Sequence, residues 1–308
     1  MRRSFGAGSL GQGSRGTLAS VGSSVSFAGV YFVTPMLAPM PAESIWSVRN
    51  LITIPIIVLA LLATRQLPIA TEIGTRIRRR PLLLLPILAC GLLVAAQLWV
   101  FTWAPLHGRG LQVALGYFLL PLVLVVIGRF LYRDRLVWWQ WLAAGIAAVG
   151  VVFEIVRVGG LSWETLLVAL GYPVYFVLRR TIGTAHLGGM LWEFGMLAPV
   201  ALVLIVLEVA RGDAFAANPA LWWAAPVFAG WTGVALVLYI AASRMLTLSL
   251  FGLLSYLEPA LLMVSALLIG ETIARNELVL YGAVWIAVLV IVGGGIAQLV
   301  RRGRPRPV

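Results

Sequence analysis

The chain has 308 residues, of which 61% are apolar and only 11% are charged, and its mean hydropathy is +0.99. Soluble domains are about half apolar and about a quarter charged. This composition therefore excludes a single water-soluble domain, and no polar stretch is long enough for a large soluble catalytic domain. The net charge of +12 is carried by 23 arginines without any lysine. Because the arginines lie between apolar runs, they indicate membrane anchoring rather than nucleic-acid binding.

Ten apolar segments predict ten membrane-spanning helices, because each is long enough to cross a bilayer and lipid allows little other backbone structure. Residues 1–16, rich in Gly, Ser and Arg, are predicted to form a disordered cytoplasmic tail. Residues 300–308 are predicted to form a basic cytoplasmic tail. The expected fold is an all-α integral membrane protein with spans near 17–37, 46–64, 81–103, 111–131, 138–156, 161–178, 189–209, 221–242, 249–269 and 279–299.

The distribution of arginines predicts the orientation. If the N-terminus is inside, the inside regions hold 18 of the 23 arginines and the outside loops hold four. The remaining one, Arg49, lies within a span. Cytoplasmic loops carry an excess of arginine and lysine, so both termini are expected in the cytoplasm, and the number of spans is expected to be even.

An internal repeat divides the chain into two halves. The tetrapeptide at residues 30–33 recurs at residues 174–177, an offset of 144, and the same offset relates Pro55 to Pro199 and Arg49 to Glu193. The repeats then comprise residues 17–156 and 161–299, with five spans each. An odd number of spans inserts the second copy upside down, and inverted repeats are typical of alternating-access transporters with a site between the halves.

Several short motifs occur in an order and at a spacing that match those of a known family. They lie at 115–121, 140–143, 189–199, 252–259 and 270–271. In these motifs the chain resembles the drug/metabolite transporter superfamily, in its EamA-domain branch, and is most similar to the RarD-type members. The resemblance covers nearly the whole chain after residue 16 and implies solute export or exchange across a bacterial cytoplasmic membrane.

Some features of the chain depart from the RarD-type pattern, which favours a substrate different from those of RarD-type proteins. RarD-type proteins usually carry Trp-Gly in the first span, where this chain has Phe27-Ala28. The run Tyr-Leu-Glu-Pro at residues 256–259 is closer to other EamA members. The resemblance does not name a solute, because the family includes transporters of many.

Glu258 is the leading candidate for a functional residue, since an ionisable group in the bilayer usually faces the bundle interior or water. It lies near the middle of the ninth span, and Pro259 after it frees the backbone carbonyl of residue 255. A carboxyl beside a helix break is typical of a proton or substrate site. The alternative is a structural hydrogen bond to a neighbouring helix.

Arg49 and Glu193 occupy equivalent positions in the two repeats, each near one end of its span. An arginine keeps its charge and needs a carboxylate, water or an anionic substrate, so Arg49 is expected either to bind a substrate carboxylate or phosphate or to extend to the outer headgroups. Glu193 is expected close to the cytoplasmic interface, in a gating or an anchoring role.

Other polar residues in the spans are candidates for the lining of a solute pathway, although each could instead form a helix–helix hydrogen bond. Three glutamates near the outer ends, Glu154, Glu164 and Glu208, are expected to reach water. The remaining pathway candidates are Gln97, Gln112, Tyr117, Tyr175 and Tyr256.

The sequence favours a transporter over three alternatives. It shows no enzyme motif and no cluster of metal ligands, so no catalytic residue, metal or cofactor is expected. A passive channel would need a longer polar stripe, and a membrane sensor or assembly protein would need a soluble output domain. The expected partners are a small-molecule substrate and the lipid bilayer, with no nucleic acid; a homodimer is left open.

Overall fold

The computed structural model describes residues 8–106, 109–261, 264 and 278–303. Within these residues, all regular secondary structure is helical and there is no β-strand. Two short 3-10 helices, Thr34–Leu37 and Pro81–Leu83, adjoin α-helices, and residues 257–261 are also helical. The α-helices are α1 Gly8–Val33, α2 Ala42–Ala63, α3 Leu67–Arg79, α4 Leu84–Leu106, α5 Gly110–Phe130, α6 Trp138–Val158, α7 Trp163–Ile182, α8 Leu187–Arg211, α9 Asp213–Ala217, α10 Leu221–Met245, α11 Leu248–Leu254 and α12 Leu278–Gly303.

Capping residues in the sequence fix several helix ends. The Ser162 hydroxyl accepts a hydrogen bond from the Thr165 amide at the start of α7, and His186 Nδ1 accepts one from the Gly189 amide at the start of α8. Helices α7 and α8 end at Gly183 and Gly212, with φ of 69° and 77°. Glycine suits these left-handed positions because it has no Cβ.

Seven helices are long and apolar enough to cross a membrane, and all seven coincide with predicted spans. The other three predicted spans correspond to shorter apolar helices at Leu115–Phe130, Leu250–Leu261 and Leu278–Gly294. Residues 262–263 and 265–277, which include part of the ninth predicted span and the motif at 270–271, lie outside the described residues. Among the described residues, the structure therefore gives seven helices that could span a membrane, and the total of ten spans remains a prediction.

The two predicted tails are partly helical in the structure. Helix α1 begins at Gly8, within the stretch expected to be disordered, and Gly16 packs closely against Leu246 at the end of α10. Small residues allow this close approach. Helix α12 runs to Gly303, whereas residues 1–7 and 304–308 lie outside the described residues.

An additional helix, α3, occupies the basic segment between the second and third predicted spans. Ala70 and Ile73 on its apolar face are buried, and α3 packs against α8. The Trp192 indole donates to the Ala70 carbonyl at 2.9 Å. Arg76 at the other end donates to the Ile182 carbonyl at 2.6 Å, so α3 ties the ends of α7 and α8 together.

Charged side chains are buried and many apolar side chains are exposed, which is the opposite of their distribution in a water-soluble protein. The buried set includes Arg49, Arg179, Glu193 and Glu258, whereas the exposed set includes dozens of leucines, valines and isoleucines along the long helices. Exposed apolar surface on this scale indicates contact with lipid. Exposed tryptophans at helix ends, such as Trp138 and Trp222, fit the interfacial aromatic belt.

The two halves of the chain pack extensively against each other. Helix α2 packs on α8 and α10, α5 packs on α7 and α11, and α4 packs on α7 and α8. Glycine permits close approaches at these contacts; for example, a Cβ at Gly116 in α5 would lie 2.8 Å from the Thr165 carbonyl oxygen in α7. The largest buried apolar cluster lies at this junction.

Candidate functional site

Arg49 lies in α2 and is only 1% exposed. Its Nη1 donates to the Leu98 carbonyl at 3.2 Å and to the Thr102 hydroxyl at 3.4 Å, both in α4. Its guanidinium lies 5.8 Å from the centre of the Phe228 ring, and its Nε has no hydrogen-bond partner. Arg49 is therefore enclosed by neighbouring helices, and it forms no ion pair with any carboxylate that the structure describes.

Glu258 is 8% exposed and lies directly after a break between α11 and the helical residues 257–261. Pro259 cannot donate to the Ser255 carbonyl, but the Glu258 amide does so at 3.2 Å. The Ser255 hydroxyl donates to the Phe251 carbonyl at 2.9 Å. The helix is interrupted at residues 255–256, but the Ser255 carbonyl, which was expected to be free, accepts the bond from the Glu258 amide. The Glu258 carboxyl lies inside the bundle.

Arg49 and Glu258 line one enclosed cavity, which we call the central cavity. Its volume is about 10 Å³. A space of this size holds about one water molecule. Helices α1, α2, α4 and α5 of the first half contribute to it, as do α7, α10 and residues 257–261 of the second half. Its lining consists of Phe27, Arg49, Leu98, Phe101, Tyr117, Tyr172, Tyr239 and Glu258.

Aromatic rings form most of the cavity wall and pack mainly edge to face. The Tyr239 ring lies 5.6 Å from Tyr172 and 6.1 Å from Phe27, and the Phe101 ring lies 5.7 Å from Tyr117. Such pairs stabilise one another and hold their rings in place. Tyr172 and Tyr239 were not among the predicted pathway residues, and no spacing in the sequence distinguishes them from other buried aromatics.

Glu193 forms a separate buried group with Tyr175 and Arg179, which we call the Glu193 cluster. Glu193 Oε1 lies 2.9 Å from Arg179 Nε, and the Tyr175 hydroxyl donates to Glu193 Oε2 at 2.9 Å. All three side chains are at most 1% exposed. Arg179 also donates through Nη2 to the His186 carbonyl at 2.7 Å, and its guanidinium lies 5.0 Å from the Tyr175 ring. None of the three lines the central cavity.

Three other predicted pathway residues also lie away from the cavity. Gln97 donates to the Leu167 carbonyl at 2.6 Å and so joins α4 to α7, which is the helix–helix alternative. The Gln112 side-chain oxygen is buried without a hydrogen-bond partner. Tyr256 is completely buried in a second apolar cluster, where its hydroxyl has no partner. Of the predicted residues, Arg49, Tyr117 and Glu258 meet at the central cavity, and Tyr175 and Glu193 meet in the Glu193 cluster.

The glutamates expected to reach water are buried instead. Glu164 is 0% exposed and pairs with Arg109 at 2.6 Å, and Glu154 is 0% exposed and pairs with Arg157. Glu208 accepts a hydrogen bond from the Ser44 hydroxyl at 3.1 Å. Pairing with nearby arginines or hydroxyls makes this burial tolerable, and the sequence pattern did not indicate these partners.

The link between α7 and α8 is polar and tightly held. His186 caps α8, and burial, together with the positive charges of Arg179 and Arg244, lowers the pKa of His186 to about 4. Arg180 donates to the Ser243 carbonyl at 3.0 Å and lies 4.9 Å from the Tyr132 ring. His186 is therefore neutral at physiological pH, which its capping bond requires.

Comparison with known proteins adds to this picture, although no family model matches the chain. The chain is 37% identical to "Chloramphenicol-sensitive protein RarD" of Pseudomonas aeruginosa over 96% of its own length and 98% of that protein. It is 34% identical to an "Uncharacterized transporter" of Haemophilus influenzae over 92% and 94%, and 30% identical to "Protein RarD" of Escherichia coli over 65% and 69%.

A solved structure, titled "Crystal structure of protein", shares the fold with a TM-score of 0.60 at 17% identity, covering 90% of this chain and 98% of that one. The seven span-capable helices and the transporter relatives define a multi-pass membrane transporter. Within that class, the chain belongs to the RarD family, as the sequence motifs predicted.

Proposed function

We propose that the chain is a secondary transporter that exports or exchanges a small organic metabolite across the bacterial cytoplasmic membrane by alternating access. The observation that carries this proposal is the central cavity, because it is buried at the junction of the two halves and contains both Arg49 and Glu258. A site between repeats is where transporters built from inverted repeats bind their solutes.

The pairing of helices supports ten spans in two inverted repeats. If α1, α2, α4, α5 and α6 correspond in order to α7, α8, α10, α11 and α12, several of the contacts between the halves have counterparts. Helix α1 packs on α10 as α7 packs on α4, and α2 packs on α10 as α8 packs on α4. This reciprocity is expected of a pseudo-two-fold axis.

The size of the cavity supports a closed state within a transport cycle. Pockets for small molecules have volumes of about 300–1,000 Å³, so a cavity of about 10 Å³ has to expand before an organic solute can enter. An enclosed cavity of this kind favours a gated transporter over a passive channel. On the proposed orientation, the Glu193 cluster and α3 lie between the cavity and the cytoplasm.

Arg49 is proposed to bind an anionic group of the solute, and Glu258 to carry a proton during the cycle. The Nε of Arg49 has no hydrogen-bond partner, and Glu258 lies beside a helix break in the same cavity. An arginine offers a fork of donors that fits a carboxylate or a phosphate. These two side chains would couple solute binding to proton binding.

Metabolite profiling of cells with and without the protein is the first test, followed by flux of the changed compounds in proteoliposomes. In the Glu258→Gln variant, which mimics the protonated carboxyl, proton-driven net flux should fall strongly and solute-for-solute exchange should survive. Unchanged net flux with unchanged pH dependence would remove Glu258 from the mechanism. Equal loss of both modes in a folded variant would indicate direct solute binding.

Reporter fusions test the proposed topology. Fusions after Arg76 and after Arg301 should report the cytoplasm, and a fusion at Ala217 should report the outside, because both termini are proposed to be cytoplasmic. An outside signal at residue 301 would contradict both the orientation and the even number of spans.

A further inference from the structure

Arg49 carries a permanent charge that its surroundings do not balance. It is 1% exposed, and its hydrogen bonds go to a carbonyl and a hydroxyl, which are neutral. Burying an unpaired guanidinium is costly in free energy, and arginine does not release its proton. The other buried arginine among the described residues, Arg179, has the carboxylate partner Glu193. Arg49 therefore requires an anion from another source.

The central cavity provides a place for such an anion beside Arg49. The Arg49 side chain lines the cavity, and its Nε is a buried donor without a partner. The volume of about 10 Å³ suits one particle of about the size of water rather than an organic molecule. Tyr117, Tyr172 and Tyr239 add hydroxyl groups to the lining, whereas Phe27 and Phe101 exclude further water.

We propose that Arg49 binds one small monovalent inorganic anion, of which chloride is the abundant example, when no solute occupies the central cavity. This rests on the proposed function, since the ion would occupy the place of the solute's anionic group. A solute would displace the ion as it binds, and the empty transporter would keep a compensated Arg49 while it changes conformation.

Glu258 is the competing source of negative charge, because its carboxyl lines the same cavity. The two groups nevertheless form no ion pair in the structure, in contrast to Arg179 and Glu193, whose Nε and Oε1 lie 2.9 Å apart. The experiment therefore includes a Glu258 variant, which separates a bound anion from compensation by this carboxylate.

The test measures thermal unfolding of the purified protein in detergent, with sodium chloride compared with sodium gluconate at equal ionic strength. Chloride should raise the Tm saturably, by roughly 2–3 °C once its concentration exceeds the dissociation constant about tenfold. Bromide should act like chloride, and the strongly hydrated fluoride should act more weakly. Equilibrium dialysis with radioactive chloride should show one ion per wild-type chain.

Variants assign the effect to Arg49. Arg49→Gln should abolish the chloride response, Arg49→Lys should weaken it, and Glu258→Gln should keep or strengthen it. The control Arg179→Met/Glu193→Leu removes a buried arginine together with its carboxylate and should respond like the wild type. Dialysis on wild-type protein keeps the test decisive if Arg49→Gln does not fold.

The proposal is overturned if wild-type protein shows no saturable chloride effect, or if Arg49→Gln keeps the whole effect. The proposal would also be overturned if chloride raised the Tm of Glu258→Gln but not that of the wild type, because the Glu258 carboxylate would then balance Arg49 in the native protein. Loss of transport in Arg49→Gln without any chloride binding to the wild type would leave the proposed function standing and remove this inference alone.

Discussion

The central cavity and the Glu193 cluster contain Arg49 and Glu193, which lie at equivalent positions of the two proposed repeats, but the two groups differ in how charge is balanced. Arg49 in the cavity lacks a carboxylate partner, whereas Glu193 contacts Arg179 and accepts a hydrogen bond from Tyr175. In a buried ion pair the two charges balance each other and favour one arrangement of helices, whereas a buried charge without a counter-charge can bind a ligand. We therefore propose a structural role for the cluster and a transport role for the cavity.

The largest effect is expected from separating the buried ion pair of the Glu193 cluster. Arg179→Met leaves the Glu193 carboxylate buried without its partner, which should lower the free energy of unfolding by about 3–5 kcal/mol. The double variant Arg179→Met/Glu193→Leu should recover most of this loss, because no charge remains buried. Tryptophan-monitored thermal unfolding in detergent measures both. Wild-type stability in the single variant would contradict a structural role.

Arg49→Gln should produce the opposite combination of effects. It removes a charge-assisted hydrogen bond to the solute, worth about 1.5–3 kcal/mol, so KM for transport should rise roughly 10- to 150-fold. In chloride-free buffer, the stability of Arg49→Gln should be unchanged or higher, because an unpaired buried charge is lost. Uptake in proteoliposomes measures KM, and thermal unfolding measures stability. Arg133→Gln, at an exposed arginine, is the control, and an unchanged KM in Arg49→Gln would assign Arg49 to the scaffold.

A smaller effect is expected from Tyr175→Phe, which deletes the hydroxyl that donates to Glu193. Losing a hydrogen bond to a charged group should lower stability by about 1.5 kcal/mol. Tyr256→Phe is a matched control, since its buried hydroxyl has no partner and its removal should be neutral or slightly stabilising. Equal thermal shifts in the two variants would show that the Tyr175 bond contributes little.

The smallest effect concerns pH and His186, next to the Glu193 cluster. Because the native pKa is lowered to about 4 from the ordinary 6.5, the unfolded state binds a proton more readily between these values. Stability should fall by about 1 kcal/mol as pH drops from 7 to 5, allowing for partial exposure, and His186 should contribute nothing above pH 7. His186→Asn keeps a capping side chain and should flatten this slope in thermal unfolding; an unchanged slope would exclude His186.

Much of the fold follows from the sequence, because the apolar segments are long and uniform. Seven of the predicted spans coincide with span-capable helices. Helix α3 was not predicted, although Leu67, Ala70 and Ile73 recur at helical spacing beside a run of arginines. The arginines of that segment were counted as part of a cytoplasmic region, whereas in the structure α3 docks against α8 and bonds to the end of α7 through Arg76.

The site was predictable in part. Arg49, Tyr117 and Glu258 line the central cavity, because ionisable groups in apolar helices face the interior. Arg179 was counted among the cytoplasmic loop arginines, and a count of charges carries no information about a carboxylate on the next helix. Its position four residues after Tyr175, on the same helix face, was the available signal. Tyr172 and Tyr239 carried no such signal in the sequence, because aromatic residues in apolar helices cannot be distinguished from residues of the hydrophobic core.

Accessibility of the central cavity from both sides tests the central claim most directly. In a Cys90→Ala background, which removes the single cysteine of the chain, Leu98→Cys places a thiol in the cavity lining. Membrane-impermeant methanethiosulfonate reagents should modify it both in intact cells and in inside-out vesicles, and transported solute should slow the reaction. Ala143→Cys, fully buried in the second apolar cluster, should remain unmodified. Reaction of Leu98→Cys from one side only, or from neither, in a protein that transports would contradict alternating access through this cavity.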